Sequence, residues 1–290
     1  MNKKSKLILS ISAIYCGPDA TCTFNPGRYA WGRGVQETYH SDSIVLSENS
    51  SKTILVDDTN GDDTSGNGTE TPYKTITKAV LAASSDTSSK YIIKLLTDIN
   101  AAGEEVASTA SDDTASTPSN SKIIMISMAL TLDLNGKTLT TTDTSRIEVK
   151  AGGDLTITDS SSSIGNINHT VAGDEKFPIM VSGESGNVAK LTLDKCKITV
   201  IGSEGTGSEG GAEGYGVYAA KYSKVTSGEG VTITAGYSAI SGNGQNPGVD
   251  VTITGGTYES KNYAAIYFPC TGKLTITGGE FIGLSGIEIR

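Results

Sequence analysis

Four oxygen-bearing side chains crowd one short stretch. Asp58, Asn60, Asp62 and Asp63 fall within VDDTNGDDTSGNG, which begins at Val56. Carboxylate and amide oxygens at this spacing suit a hard cation such as calcium. Counting from Asp58, the position where a helix–loop–helix calcium site carries its bidentate Glu is Thr69, so that pattern fails. The other reading is a tight Asx/Gly turn, in which the same oxygens accept from nearby backbone N–H groups. Calcium is the one cofactor these residues suggest, and no cofactor is required.

Other reactive groups are sparse. Glu204, Glu209 and Glu213 lie in VIGSEGTGSEGGAEGYG. Paired carboxylates are the tools of glycoside hydrolysis, but they must be held in place, and a Gly-rich loop reads better as solvated acid. His40 and His169 are the only histidines, which leaves little for a histidine-based triad. Lys195 and Lys197 flank Cys196 beside Asp194, and in a regular strand both lysines would face away from Asp194.

Tyrosine is the stronger signal. Seven of the twelve tyrosines lie between Tyr215 and Tyr267. If Ile240 and Ile266 point inward, Tyr237 and Tyr263 point outward on neighbouring units. Outward aromatic rows suit contact with sugar rings, and tyrosine also simply covers strand surface. Tyr215, Tyr218, Tyr237, Tyr263 and Tyr267 form the candidate glycan platform.

A repeat must position these residues. An apolar-Thr-apolar-polar strand recurs at Leu130, Leu155, Leu191, Val231, Val251 and Leu274, with steps of 25, 36, 40, 20 and 23 residues. Between the copies lie YGVY, YSAI, YAAI and LSGI, beginning at Tyr215, Tyr237, Tyr263 and Leu284; FPIM at Phe177 holds the same place earlier. A unit of two short strands cannot bury its own apolar face, so successive units must stack. The expected fold is all-β, a parallel solenoid with inward Leu/Val and Ile ladders and outward threonines. An antiparallel sandwich would not demand near-copies at coil-length intervals. The pairs Thr156/Thr158, Thr232/Thr234, Thr252/Thr254 and Thr275/Thr277 would make two outward columns, similar to the face of antifreeze solenoids. Asp133 and Asp194 interrupt the second column. Thr75 reads as the N-cap of a short capping helix with Ile76, Ala79, Val80 and Ala83 on one face, and Tyr91 to Leu96 as the first buried strand.

The stretch TILVDDTNGDDTSGNGTETPYKTITKAV, from Thr53, resembles the opening segment of many bacterial right-handed parallel β-helix proteins of the pectate-lyase-like superfamily. The resemblance covers residues 53–290 and is specific for the fold rather than for an activity. It implies a right-handed parallel β-helix, in a superfamily of polysaccharide lyases, glycoside hydrolases, phage tail spikes and surface proteins without a known reaction. Its lyases use a calcium cluster of acids with an Arg or Lys base, and no arginine pair or acid cluster here matches.

Residues 1–22 read as a leader, a basic MNKKSK followed by an apolar run, with Cys16 as an alternative lipoprotein-type cysteine. Residues 23–52, with the sole Trp31, read as an irregular extension, and 53–290 as the stacked domain, incomplete at its C-terminal end. Cys16 and Cys22 could form a disulfide if both survive processing, whereas Cys196 and Cys270 read as buried. Without a CxxC pair there is no zinc signal. The formal net charge of −9 argues against nucleic acid and anionic membrane as partners. No stretch after the leader is long and apolar enough to span a bilayer. The expected protein is secreted or at the cell surface, a rigid binding, adhesion or structural module with a glycan or host-surface ligand. A calcium-dependent polysaccharide lyase or hydrolase is the alternative, and ice binding the third reading.

Overall fold

The computed structural model describes residues 51–86, 89–101, 123–171, 176–202 and 214–290. The leader, most of the 23–52 extension, His40, Cys16, Cys22, Glu204, Glu209 and Glu213 lie outside the described residues.

The described residues are mostly β, with one α-helix among them, and their strands fall into three rows. The first row holds β1 (Lys52–Val56), β2 (Tyr91–Leu95), β5 (Ala129–Asp133), β8 (Asp154–Thr158), the first half of β11 (Ala189–Gly202), the first half of β13 (Ser223–Ala235), β15 (Pro247–Ile253) and β18 (Thr271–Ile276). The second row holds β3 (Ile99–Asn100), β6 (Thr138–Thr142), β9 (Asn166–Val171), the second halves of β11 and β13, β16 (Thr257–Ser260) and β19 (Glu280–Ile282). The third holds β4 (Ile124–Ile126), β7 (Ile147–Val149), β10 (Ile179–Val181), β12 (Val217–Ala219), β14 (Ile240–Gly242), β17 (Ala264–Phe268) and β20 (Ser285–Ile289). Every pairing between these strands is parallel, for example β8 with β11 and β12 with β14. From β2 onward the chain visits the rows in one fixed order, one cycle after another.

The register explains the repeat. Leu130, Leu155, Leu191, Val225, Val251 and Leu274 align strand by strand as one inward column. The first five are buried, and Leu274 packs partly against the core. Full burial of such a side chain contributes about 1.5–3 kcal/mol. The neighbouring column is Thr131, Thr156, Thr192, Thr226, Thr252 and Thr275.

Two sequence expectations are corrected here. Val231-Thr232-Ile233-Thr234 is not in the first row: it aligns with Cys196–Thr199 and Thr257–Glu259 in the second. Val225-Thr226-Ser227 takes the first-row place, because β13 runs through the corner as one long strand and carries two similar stretches. Hence the uneven steps of 40 and 20 residues, and hence the absence of Thr232 and Thr234 from the expected threonine columns. A column of Asp154, Lys190, Lys224, Asp250 and Lys273 runs beside the first-row threonines. The second correction is at Asp194. The register slips between Leu193 and Lys195, so Asp194 does not oppose the lysines: it and Lys197 are both exposed, and Lys195 is half-buried. Lys195 Nζ donates to the Ser161 carbonyl at 2.6 Å, and Asp194 accepts from Thr158 Oγ1 at 2.9 Å.

Buried aspartates fasten the corner between the first two rows. Asp133 accepts from the N–H groups of Asn135 and Ser160 at 3.0 and 2.9 Å, and Asn135 Nδ2 reaches back to the Leu95 carbonyl at 2.8 Å. Asn135 and Gly136 adopt φ of 48° and 75°, the left-handed conformation that Asn and Gly accept most readily. Asp159 receives N–H groups from Gly136, Ser161 and Gly165. Burial opposes its charge, but these donors and the Ser161 hydroxyl outweigh burial and hold its pKa below the ordinary value.

Helix α1 (Ile76–Ser84) follows the acidic loop. Thr75 caps it by accepting from Lys78 N–H, and Ile76, Ala79 and Ala83 are buried while Val80 packs partly against the core. α1 contacts β1, β2 and β4 at the start of the rows. Tyr91, Ile93 and Leu95 are buried in β2, as the sequence suggested. No helix among the described residues is long and apolar enough to cross a membrane. The connection from the second row to the third varies most in length: 101–123 after β3 and 203–216 after β11, but only 261–263 after β16.

Candidate functional site

The corner where the third row begins gathers the tyrosines. Phe177 precedes β10, Tyr215 and Tyr218 flank the start of β12, Tyr237 precedes β14, Tyr263 precedes β17, and Tyr267 lies within β17. The pairings place Ile179, Val217, Ile240 and Ile266 in one buried column, with the exposed Ile287 next in register, so these aromatics recur at the same corner of successive cycles. The YGVY unit is offset by one residue from YSAI, since Val217 aligns with Ile240.

The rings form one connected strip. Phe177 stacks on Tyr218 at 4.8 Å and 11°. Tyr218 lies 5.9 Å from Tyr215, which meets Tyr237 edge-on at 5.4 Å and 90°. Tyr237 stacks on Tyr263 at 4.3 Å and 13°, and Tyr263 meets Tyr267 at 5.5 Å and 79°. The expectation that Tyr237 and Tyr263 stand on neighbouring cycles therefore holds. Tyr218, Tyr237, Tyr263 and Tyr267 are half-buried, so each keeps part of its surface in solvent. Tyr215 is a correction: only 8% exposed, it lies beneath its neighbours, between Gly214 and Gly216, and supports the strip rather than presenting a face. Tyr258 is also enclosed, its hydroxyl bonded to Ser227 Oγ at 2.6 Å and the Gly255 carbonyl at 2.9 Å.

Each end of the strip is ionic. At one end the Arg146 guanidinium lies 5.5 Å from the Phe177 ring centre, a cation–π contact. Arg146 Nε donates to Glu148 Oε1 at 2.8 Å, and Lys150 pairs with the other oxygen of this nearly buried carboxylate. Behind them His169 Nδ1 meets Thr141 Oγ1 at 2.9 Å, and Nε2 lies 3.3 Å from Asp143 Oδ1. This hydroxyl–imidazole–carboxylate line resembles a nucleophilic triad in outline. Thr141 and His169 are fully buried, however, so no substrate reaches the hydroxyl. Burial pushes the His169 pKa down from 6.5 to about 4; Asp143 opposes that shift and Arg146 adds to it. At the other end Tyr263 OH donates to Glu288 Oε1 at 3.0 Å, and Arg290 Nε donates to the same oxygen at 2.6 Å. Burial, then Glu288, raises the Tyr263 pKa; the Tyr263 bond, then Arg290, lowers that of Glu288. Arg290 also lies 5.8 Å from the Tyr267 ring centre.

The acidic loop has the geometry of the Asx/Gly turn. Asp63 accepts from Lys74 N–H, Thr75 N–H and Thr75 Oγ1 at 2.8, 3.1 and 2.7 Å. Asp62 accepts from Thr64 and Ser65, and the neighbouring Asp57 from Thr59 and Asn60. Asn60 turns its side-chain amide to Asp57 at 3.3 Å, and Asp58 N–H donates to Thr97 Oγ1 at 2.9 Å. Among the described residues no three His, Cys, Asp or Glu side chains converge as a metal-binding group. Cys196 and Cys270 are buried free thiols, as expected.

Sequence reasoning missed Phe177, Arg146, Glu148, Glu288 and Arg290. The place of FPIM in the repeat was the one available signal for Phe177. The chain matches no protein-family model, no curated protein and no solved structure.

Proposed function

We propose that this chain is a right-handed parallel β-helix solenoid, secreted or held at a cell surface, acting as a rigid binding module for a glycan through its aromatic strip. The fixed visiting order of three parallel rows supports the solenoid, as does the resemblance of the segment from Thr53. The observation that carries the binding reading is the strip itself: six rings in mutual contact, five of them half-buried over the enclosed Tyr215, with an arginine over the ring at each end. Tyrosine and arginine give a ligand apolar surface together with hydrogen-bond donors, at little entropic cost because packing already fixes their rotamers. No cluster among the described residues gives the lyase or hydrolase reading an observation of its own. The first-row threonines run beside a charged column, and nothing favours them over the strip.

The test is retention of the purified protein by immobilised or gel-embedded polysaccharides. Binding that falls at least tenfold in Tyr237→Ala and Tyr218→Ala, with folding intact by circular dichroism, supports the reading. Binding unchanged in both variants, or no binding to any polysaccharide, overturns it.

A further inference from the structure

We propose that the strip holds an unbranched sugar chain lengthwise, parallel to the direction in which cycles stack, with about one sugar ring per cycle. This rests on the glycan reading above and adds the ligand's shape and direction.

Repeat lengths set this direction. Neighbouring parallel strands lie about 4.8 Å apart, and that spacing sets the advance from one cycle to the next. The ring contacts that cross between cycles, Phe177 to Tyr218, Tyr215 to Tyr237 and Tyr237 to Tyr263, measure 4.8, 5.4 and 4.3 Å and bracket that advance. A ligand lying along the strip is therefore met by equivalent groups at each step only if its own repeat is similar. One pyranose in an extended chain advances by a comparable length. A peptide strand does not: its residues rise about 3.3 Å, so side chains on one side recur at roughly 6.6 Å and lose register within two cycles.

The geometry of the rings agrees. Stacking of Tyr237 on Tyr263 and of Phe177 on Tyr218 covers one face of each of these four rings, so none of the four offers two open faces for a sugar to slot between. A chain that runs over the row, touching edges and remaining faces in turn, fits this surface better than a single sugar inserted into it. Four successive cycles carry the aromatics, a span of about 14 Å between the first and the last. The flanking groups differ: Arg146, Glu148 and Lys150 at one end, Glu288 and Arg290 at the other. An asymmetric polymer consequently has one preferred direction.

The experiment uses the full chain and graded oligosaccharides, from two rings to eight, cut from whichever linear polysaccharide retains the protein. Calorimetry is expected to show Kd falling at least tenfold between two and about four rings and staying level beyond. Phe177→Ala and Tyr267→Ala, at opposite ends, are each expected to move the plateau to shorter chains. A Kd independent of chain length, or a plateau unmoved in both variants, overturns the lengthwise chain while leaving the glycan reading standing. Retention by branched but not linear polysaccharides has the same meaning. No retention by any polysaccharide overturns both, and binding of an extended peptide in their place points to a protein ligand.

Discussion

Ser260 joins the backbones that carry Tyr237 and Tyr263. Its hydroxyl donates to the Tyr237 carbonyl and accepts the Tyr263 N–H at 2.8 Å, so one small side chain spans the two cycles beneath the stacked rings. Ser260 is itself buried. Its removal leaves both partly buried partners without this bond. Ser260→Ala is expected to destabilise the fold by about 1–3 kcal/mol and to weaken the near-ultraviolet circular dichroism of the stacked pair. Unchanged stability and unchanged aromatic signal would show that the rings hold themselves.

Gly216 is a second point of leverage. A Cβ there would lie 2.3 Å from Ile233 Cγ2 and 2.6 Å from the Ala239 carbonyl oxygen. The backbone must pass this close for Tyr215 and Tyr218 to reach their places. Gly216→Ala is expected to cost about 1–3 kcal/mol or more, measured by urea denaturation. A loss below half a kcal/mol would mean that the corner relaxes freely.

His169 makes stability depend on pH. Its folded pKa, about 4, lies below the unfolded 6.5, so between these values the unfolded chain binds more protons. Its contribution is whole above pH 6.5, declines as pH falls toward 4, and is constant below. The decline is on the order of 3 kcal/mol. Denaturation between pH 7 and 4 is expected to show this slope, flattened in His169→Asn. An equal slope in that variant would place the dependence on other groups.

The opening loop yields a contrast between its acids and a metal. Asp63→Ala removes three accepted bonds around the start of α1 and is expected to destabilise by about 1–3 kcal/mol, against about 1 kcal/mol for Thr75→Ala. The carboxylates of Asp57, Asp62 and Asp63 already accept chain donors, so a chelator is expected to leave Tm unchanged. A rise in Tm with millimolar calcium would instead show a site that forms at the expense of these turns.

Much of the architecture was legible because strand periodicity is a local signal. The Leu-Thr-Leu and Val-Thr-Ile stretches gave the inward and outward columns, and Thr75 with Ile76, Ala79 and Ala83 gave the helix. What local pattern could not show is which row a strand occupies. Val231–Thr234 looks like its first-row counterparts, and only hydrogen-bond register puts it in the second. The bulge at Asp194 escaped for a similar reason, since the slip arises from one extra residue in the partner strand, where Gly228 and Glu229 together face the single Asp194. Within the strip, Tyr237 and Tyr263 could be paired from spacing, whereas Arg146 reaches Phe177 from the preceding cycle. Burial of Tyr215 and the Thr141–His169–Asp143 line likewise depend on how distant segments meet.

The uneven connection between the second and third rows has a practical meaning. Strand pairing is indifferent to how much chain is inserted there, since 261–263 and 203–216 join equivalent strands. Loop-closure entropy grows only slowly with length. That corner is thus a natural grafting point: foreign peptides spliced after β13 or β16 would be displayed at intervals of a few ångströms, and new specificities could arise there without any change to the framework.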